Sequence, residues 1–198
     1  MSRQALIIFV KNPQLGKVKT RLAATVGDER ALEIYKVLLE HTMKSTVNLR
    51  QDKYVYYSEQ VSMGDLWSEQ HYHKQVQSSG DLGQKMNAAF KQCFAKGFDK
   101  VCIIGSDLIE MSEDIIRDAF DTLNSKDVVI GPASDGGYYL LGMSKLYAQL
   151  FNNKNWSTET VLQDTIKNIE VHNLSYRLLP ELNDIDTEED WEEYLLRK

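Results

Sequence analysis

Short runs of consecutive apolar residues alternate along the chain with longer stretches in which apolar side chains recur at helical spacing. Runs such as Ala5-Leu6-Ile7-Ile8-Phe9-Val10 and Val101-Cys102-Ile103-Ile104 read as buried strands. The pattern predicts strands over 4–10, 53–57, 73–76, 100–104, 127–131 and 138–143, with another near 171–178. Helices are predicted over 28–48, 82–96, 112–124, 158–168 and 188–197. Strands alternating with helices predict an α/β fold, a mostly parallel mixed sheet flanked by helices, in one domain spanning 1–198. No internal repeat or low-complexity tract interrupts it. The three prolines, Pro13, Pro132 and Pro180, fall in or beside predicted loops or strand edges, so none marks an interdomain linker.

Composition narrows the partners. With 198 residues, 42% of them hydrophobic, the chain can bury the core of one ordinary domain. A net charge of -6 argues against a nucleic-acid-coating protein, which needs an excess of Lys and Arg to neutralise phosphates. The two cysteines, Cys93 and Cys102, fall on a predicted helix and the strand after it. Such low usage predicts core thiols in a reducing compartment. The first apolar run is too short for a membrane span and lacks a cleavage-site pattern, so no membrane partner and a cytoplasmic location are expected.

In open α/β sheets the ligand sits outside the carboxyl ends of the strands, which makes the loops after strands the place to look for chemistry. After the first strand, Lys11-Asn12-Pro13-Gln14-Leu15-Gly16-Lys17-Val18-Lys19-Thr20-Arg21-Leu22 puts four cations within eleven residues of an acidic protein. A phosphate site accounts for them: Lys is a mobile point charge, Arg a planar fork, and Gly16 permits close backbone approach. A solvated basic loop is the alternative, since the segment matches neither the dinucleotide fingerprint nor the P-loop. The strand 100–104 ends in Gly105-Ser106-Asp107, delivering a carboxylate suited to a hard divalent cation, Mg²⁺ or Mn²⁺. Further on stands Asn183-Asp184-Ile185-Asp186-Thr187-Glu188-Glu189-Asp190. Thr187 with Asp190 reads as a capping box; Asp184 and Asp186 precede the cap and are either turn formers or metal ligands.

Three more loops carry candidates. Ser134-Asp135-Gly136-Gly137-Tyr138 lies between two apolar strands; a tight turn accounts for the glycines, and the Ser, Asp and Tyr are candidate contacts to an acceptor. Ser79-Gly80-Asp81-Leu82 opens a helix whose free N–H groups suit a nucleotide, although Asp81 with Gln84 is also a capping pair. Trp156-Ser157-Thr158-Glu159 opens the next helix as either a plain cap or a segment that closes over the site, with Thr158 as the candidate substrate contact. His71 and His73 have no third ligand nearby and read as surface or partly buried residues.

As a set, Lys11-x-Pro13-x-x-Gly16-x-x-Lys19-Thr20-Arg21-Leu22, Gly80-Asp81-Leu82-Gly83, Gly105-Ser106-Asp107, Ser134-Asp135-Gly136-Gly137-Tyr138, Trp156-Ser157-Thr158 and Asp184-Ile185-Asp186-Thr187 resemble the small glycosyltransferase-A-like nucleotide-diphospho-sugar transferases related to phospholactate guanylyltransferase. The resemblance runs through almost the whole chain. It implies their fold, with Asp107 and Asp186 holding Mg²⁺ or Mn²⁺ against a nucleotide's phosphates. Lys11, Lys19 and Arg21 would clamp those phosphates, with Gly16, Ser79, Asp81 and Leu82 at the nucleotide and Ser134, Asp135, Gly136, Gly137, Tyr138 and Thr158 at a small-molecule acceptor. The implied reaction is nucleotidyl transfer from a triphosphate to a phosphorylated or hydroxyl acceptor. Glycosyl transfer from a nucleotide-sugar and nucleotide binding without turnover remain the alternatives. The related enzymes usually carry a proline shortly after the first metal Asp. Here Leu108-Ile109 follows Asp107, so their acceptor specificity does not carry over.

Overall fold

The computed structural model describes residues 2–152 and 154–196. One seven-stranded sheet runs through it in the order β3-β2-β1-β4-β6-β5-β7. Its strands are β1 (Gln4–Val10), β2 (Asp52–Tyr57), β3 (Tyr72–Val76), β4 (Lys100–Ile104), β5 (Val128–Pro132), β6 (Tyr138–Met143) and β7 (Tyr176–Leu178). β6 runs antiparallel to β4 and β5; the other pairings are parallel. The start of β6 therefore lies at the same sheet edge as the ends of β1 and β4.

The helices are α1 (Thr20–Val26), α2 (Asp28–Thr46), α3 (Leu82–Ala95), α4 (Glu113–Thr122), α5 (Val161–Val171) and α6 (Glu188–Leu196). They cover both faces of the sheet, which is why its central strands β1, β4, β5 and β6 are largely apolar. Leu6, Ile8 and Val10 of β1 join one core with Tyr35 and Leu39 of α2 and Phe120 of α4. Ala5 and Ile7 join the other with Met86 and Phe90 of α3 and Ile169 of α5. Cys93 and Cys102 are free buried thiols, one in each core. No helix among the described residues is long and apolar enough to cross a membrane.

Three elements, α1, α5 and β7, differ from the sequence expectation by more than two residues. The basic segment is a loop only as far as Lys19, because Thr20–Val26 coils into α1. Its Leu22 packs with Ile34, Leu38 and Trp191 in a third cluster; seven residues are too few to show a helical period. α5 starts at Val161, three residues later than expected, and runs to Val171, so β7 shrinks to Tyr176–Leu178. Thr165 and Ile169 continue the buried stripe from Val161, which keeps the helix in register with the core. α6 follows the prediction to Leu196; residue 197, the last of the predicted helix, lies outside the described residues.

Candidate functional site

A cleft of about 700 Å³ opens where β1 and β4 end and β6 begins. Tyr35 of α2 shapes its floor. The hydroxyl accepts from the Lys11 N–H at 2.9 Å, donates to the Lys11 carbonyl at 3.1 Å and lies 3.4 Å from Ser106 Oγ. Both backbone polar groups of the first residue after β1 are thus fixed to the residue that precedes Asp107. Burial pushes the Tyr35 hydroxyl up to about 12, so it stays protonated and able to donate.

The basic loop is anchored a second time by Asn12, which is buried. Its Oδ1 accepts from the Glu59 N–H at 2.9 Å and its Nδ2 donates to the Gln60 carbonyl at 2.8 Å. Lys17 pairs with Glu59 at 3.3 Å, facing solvent. Lys19 takes a left-handed backbone, φ 46 and ψ 49, at the start of α1, which turns its side chain inward.

Asp184 and Asp186 reach this point from far along the chain because residues 180–186 run back beside the β5–β6 connection. Ala133 bridges to Leu182, the Ser134 N–H donates to the Leu182 carbonyl at 3.1 Å, and the Ile185 N–H donates to the Asp107 carbonyl at 3.4 Å. Extended backbone alternates its side chains. Ile185 accordingly drops into the cluster with Leu22 and Trp191, while Asp184 and Asp186 line the cleft. The turn is locked by Asp190 Oδ2, which accepts from the Asp186 and Thr187 N–H groups at 3.0 and 2.8 Å.

Two carboxylates and one ammonium form the charged centre. Lys19 Nζ stands 2.9 Å from Asp107 Oδ2 and 3.1 Å from Asp186 Oδ1, and Arg21 Nη2 stands 3.1 Å from Asp186 Oδ2. Burial alone would lower the Lys19 ammonium, but Asp107 and Asp186 outweigh it and hold its pKa above the ordinary lysine value. Asp184 is the opposite case. Burial, with the Asp107 charge beside it, pushes its carboxyl up to about 8, and its Oδ1 is buried without a hydrogen-bond partner among the described residues.

The other predicted residues divide in two. Lys11, Arg21, Leu82, Asp135, Gly137, Tyr138 and Thr158 line the cleft with Lys19, Asp107 and Asp186. Gly16, Ser79, Asp81, Ser134 and Gly136 are not on its wall. Gly16 (φ +73) turns beside Asp28. Asp81 makes the reciprocal capping box with Gln84, at 2.8 and 2.9 Å, which starts α3. The Ser134 hydroxyl donates to the side-chain amide oxygen Oδ1 of Asn183. Gly136 (φ +85) lies so close to Glu159 that a Cβ would stand 2.1 Å from its carbonyl oxygen. Gly137 is held by its N–H donating to Asp135 Oδ1 at 2.8 Å. Thr158 donates to the Asn155 carbonyl at 2.8 Å and caps no helix.

Sequence reasoning missed Tyr35, which has only the signature of a core position on an amphipathic helix, and Lys85, one turn into α3 on the cleft wall. It placed Trp156 in a segment over the site but assigned its side chain no contact. The indole lines the cleft and packs against Gly83, where a Cβ would stand 2.2 Å from its ring.

Asp107 and Asp186 already converge on one cation, and both are partly exposed to the cleft, by 38% and 24% of their side chains. Among the described residues no group of three or more His, Cys, Asp or Glu side chains could hold a metal. Two carboxylates with substrate phosphates and water suit Mg²⁺ or Mn²⁺, so the residues fit such an ion in company with a phosphate ligand.

Residues 34–158 match the family described as "Uncharacterized protein conserved in bacteria (DUF2064)". No curated protein matches the chain in sequence. Among solved structures it is similar to a protein from Desulfovibrio desulfuricans G20, provisionally described as a nucleotide-diphospho-sugar transferase. The two share 31% identity at a TM-score of 0.88, over 94% of this chain and 84% of that one. The 4-diphosphocytidyl-2C-methyl-D-erythritol synthase of Anaerococcus prevotii DSM 20548 shares the fold at 11% identity and a TM-score of 0.64, over 100% of this chain and 97% of its own. Rv0371c of Mycobacterium tuberculosis H37Rv, in complex with manganese, does so at 10% identity and a TM-score of 0.57, over 100% of both chains. The sheet and its helices are therefore those of the nucleotide-diphospho-sugar transferases.

Proposed function

The chain belongs to the DUF2064 family of proteins conserved in bacteria, and on that premise we propose that it is a metal-dependent nucleotidyltransferase that transfers the nucleotidyl group of a nucleoside triphosphate to a small phosphorylated or hydroxyl acceptor and releases pyrophosphate. The observation that carries this reading is the meeting of Asp107 and Asp186, remote in sequence, at one cation on the wall of a cleft at the carboxyl end of the sheet. A pair of carboxylates flanked by Lys11, Arg21 and Lys85 suits a ligand that brings both phosphates and a metal ion.

In this reading an acceptor oxygen attacks the α-phosphorus and pyrophosphate leaves in line. Such a transfer asks the protein mainly for positioning and charge neutralisation. Asp107 and Asp186 would hold Mg²⁺ or Mn²⁺, which when bound supplies positive charge against the triphosphate. Lys11 and Arg21 orient phosphate oxygens from the mouth of the cleft, where Arg21 is 75% exposed. Tyr35 keeps Lys11 in register with the end of β4. Asp135, Gly137, Tyr138 and Thr158 form the wall offered to the acceptor.

The solved relative from Desulfovibrio desulfuricans, with its transferase description, supports sugar transfer as the second reading. The released product separates the two. Nucleotidyl transfer yields pyrophosphate and glycosyl transfer a nucleoside diphosphate. The test is a thermal-shift panel of nucleoside triphosphates and nucleotide-sugars with Mg²⁺, Mn²⁺ or chelator, on the wild type and Asp107→Ala. A ligand that binds the folded chain raises its melting temperature. Metal-dependent stabilisation by a triphosphate, absent in Asp107→Ala, is expected; stabilisation by nucleotide-sugars alone would replace the first reading with the second, and no stabilisation at all would remove both.

A further inference from the structure

Lys19 was expected at the phosphates, yet its ammonium sits between the carboxylates. Its side chain is 5% exposed, against 38% for Asp107 and 24% for Asp186, so the cation lies beneath the two acids and they form the rim. The Lys19 backbone keeps a left-handed conformation unfavourable for a side chain with a Cβ, and this delivers Nζ to hydrogen-bonding distance of both acids. Arg21 reaches Asp186 as well, but from solvent.

An ammonium and a divalent ion cannot both occupy the space between two carboxylates, because like charges a few ångströms apart repel strongly where little water screens them. We propose that Lys19 is the resident counter-cation of Asp107 and Asp186, and that it makes the metal ion and the triphosphate enter as one unit. The metal alone must evict Lys19 with no new partner for the ammonium. When a triphosphate arrives as well, its oxygens receive the displaced ammonium and complete the ion's oxygen shell. The coupling is reciprocal: the triphosphate favours the metal by the same factor as the metal favours the triphosphate. This rests on Asp107 and Asp186 being the metal pair of the proposed function.

Mn²⁺ alone is the probe, titrated by calorimetry and by its paramagnetic resonance signal into the wild type, Lys19→Gly, Lys19→Met and Lys19→Arg. Lys19→Gly removes the ammonium while relieving the left-handed backbone, so it keeps the fold even if Lys19→Met does not; circular dichroism checks both. Lys19→Gly is expected to bind Mn²⁺ at least about tenfold more tightly than the wild type, within the usual range of coupling between sites. Lys19→Arg, which keeps the charge, is expected to bind as weakly as the wild type, and Asp107→Asn in the Lys19→Gly background to lose the gain. Tight binding of Mn²⁺ by the wild type, with no gain in Lys19→Gly, overturns the proposal and leaves the metal pair standing. Equal gains in Lys19→Arg and Lys19→Gly overturn it too, since charge would then not be the cause. No Mn²⁺ bound by any variant, with or without added nucleoside triphosphate, overturns both the proposal and the metal pair.

Discussion

Replacing Gly83 with alanine sets two effects of opposite sign against each other. Gly83 is the second residue of α3, where alanine would reduce the conformational cost of the helix by about 0.5–1 kcal/mol. Its Cα lies under the Trp156 indole, however, and an added Cβ would stand 2.2 Å from Cε2 and 2.3 Å from both Cζ2 and Nε1. The ring is flanked by the Phe151 ring, 6.4 Å away and inclined by 27°, and by the Lys154 ammonium, 5.5 Å from its centroid, contacts that it would give up by moving. Overpacking of this kind costs about 1–3 kcal/mol. The clash therefore offsets or outweighs the helix gain, and Gly83→Ala should lose up to about 2.5 kcal/mol net. In a Trp156→Ala background only the helix term survives and the same substitution should be neutral or stabilising. Urea unfolding of the four proteins of this cycle measures the difference, and the non-additivity should be about 1–3 kcal/mol. An equal cost of Gly83→Ala in both backgrounds would refute the steric account. So would a gain in the wild-type background.

Asn12→Ala removes the acceptor of the Glu59 N–H and the donor to the Gln60 carbonyl, and should cost about 1–3 kcal/mol for buried groups left unpaired. Amide exchange at Glu59 and Gln60 should quicken with it; unchanged protection would show that the basic loop is held elsewhere. Asp184, whose carboxyl is pushed up to about 8, binds its proton more tightly folded than unfolded. Its contribution is fully present below the unfolded carboxylate value of about 3.9 and is lost as pH rises through its folded value. Asp184→Asn should accordingly gain stability relative to the wild type between pH 4 and pH 8, roughly the interval bounded by those two values, and a constant difference in denaturation midpoint would contradict this. Asp127 has the opposite sign. Donation from the Tyr147 hydroxyl, the Ser175 N–H and the Ser175 hydroxyl holds its carboxyl below the usual range. That stability is present above the unfolded value of about 3.9 and lost as pH falls through the folded one. Asp127→Ala should therefore be less stable than the wild type at neutral pH and converge with it in acid, by thermal melts across pH.

The strands of the central sheet were legible because burial on both faces makes them continuous apolar runs, and β1, β4 and β6 stand where those runs predict. What escaped were elements whose cause lies elsewhere in the chain. α1 is a helix because Leu22 packs on Ile34, Leu38 and the distant Trp191, and nothing within Thr20–Val26 signals that neighbour. The late start of α5 has a similar origin: the Leu162 N–H donates to the Gly136 carbonyl at 3.0 Å, and the chain just before the helix packs on Gly136, which leaves Thr158 on the cleft wall.

The site divides along the same line. Asp107 could be found because a buried strand ends at it, and Asp186 because the capping box of the next helix left it unexplained. Their meeting required residues 180–186 to run beside the β5–β6 connection, and that pairing is written in backbone hydrogen bonds, to which side-chain identity is nearly silent. The charge of Lys19 was equally visible and its partner was not. Read in order, a lysine in a basic loop belongs with phosphates; folded, its left-handed backbone turns it under two carboxylates that lie 88 and 167 residues away. Residue type thus named the ingredients of the centre. Which cation faces which anion is decided by backbone geometry, and that difference separates a permanent phosphate clamp from a counter-cation that a ligand must displace.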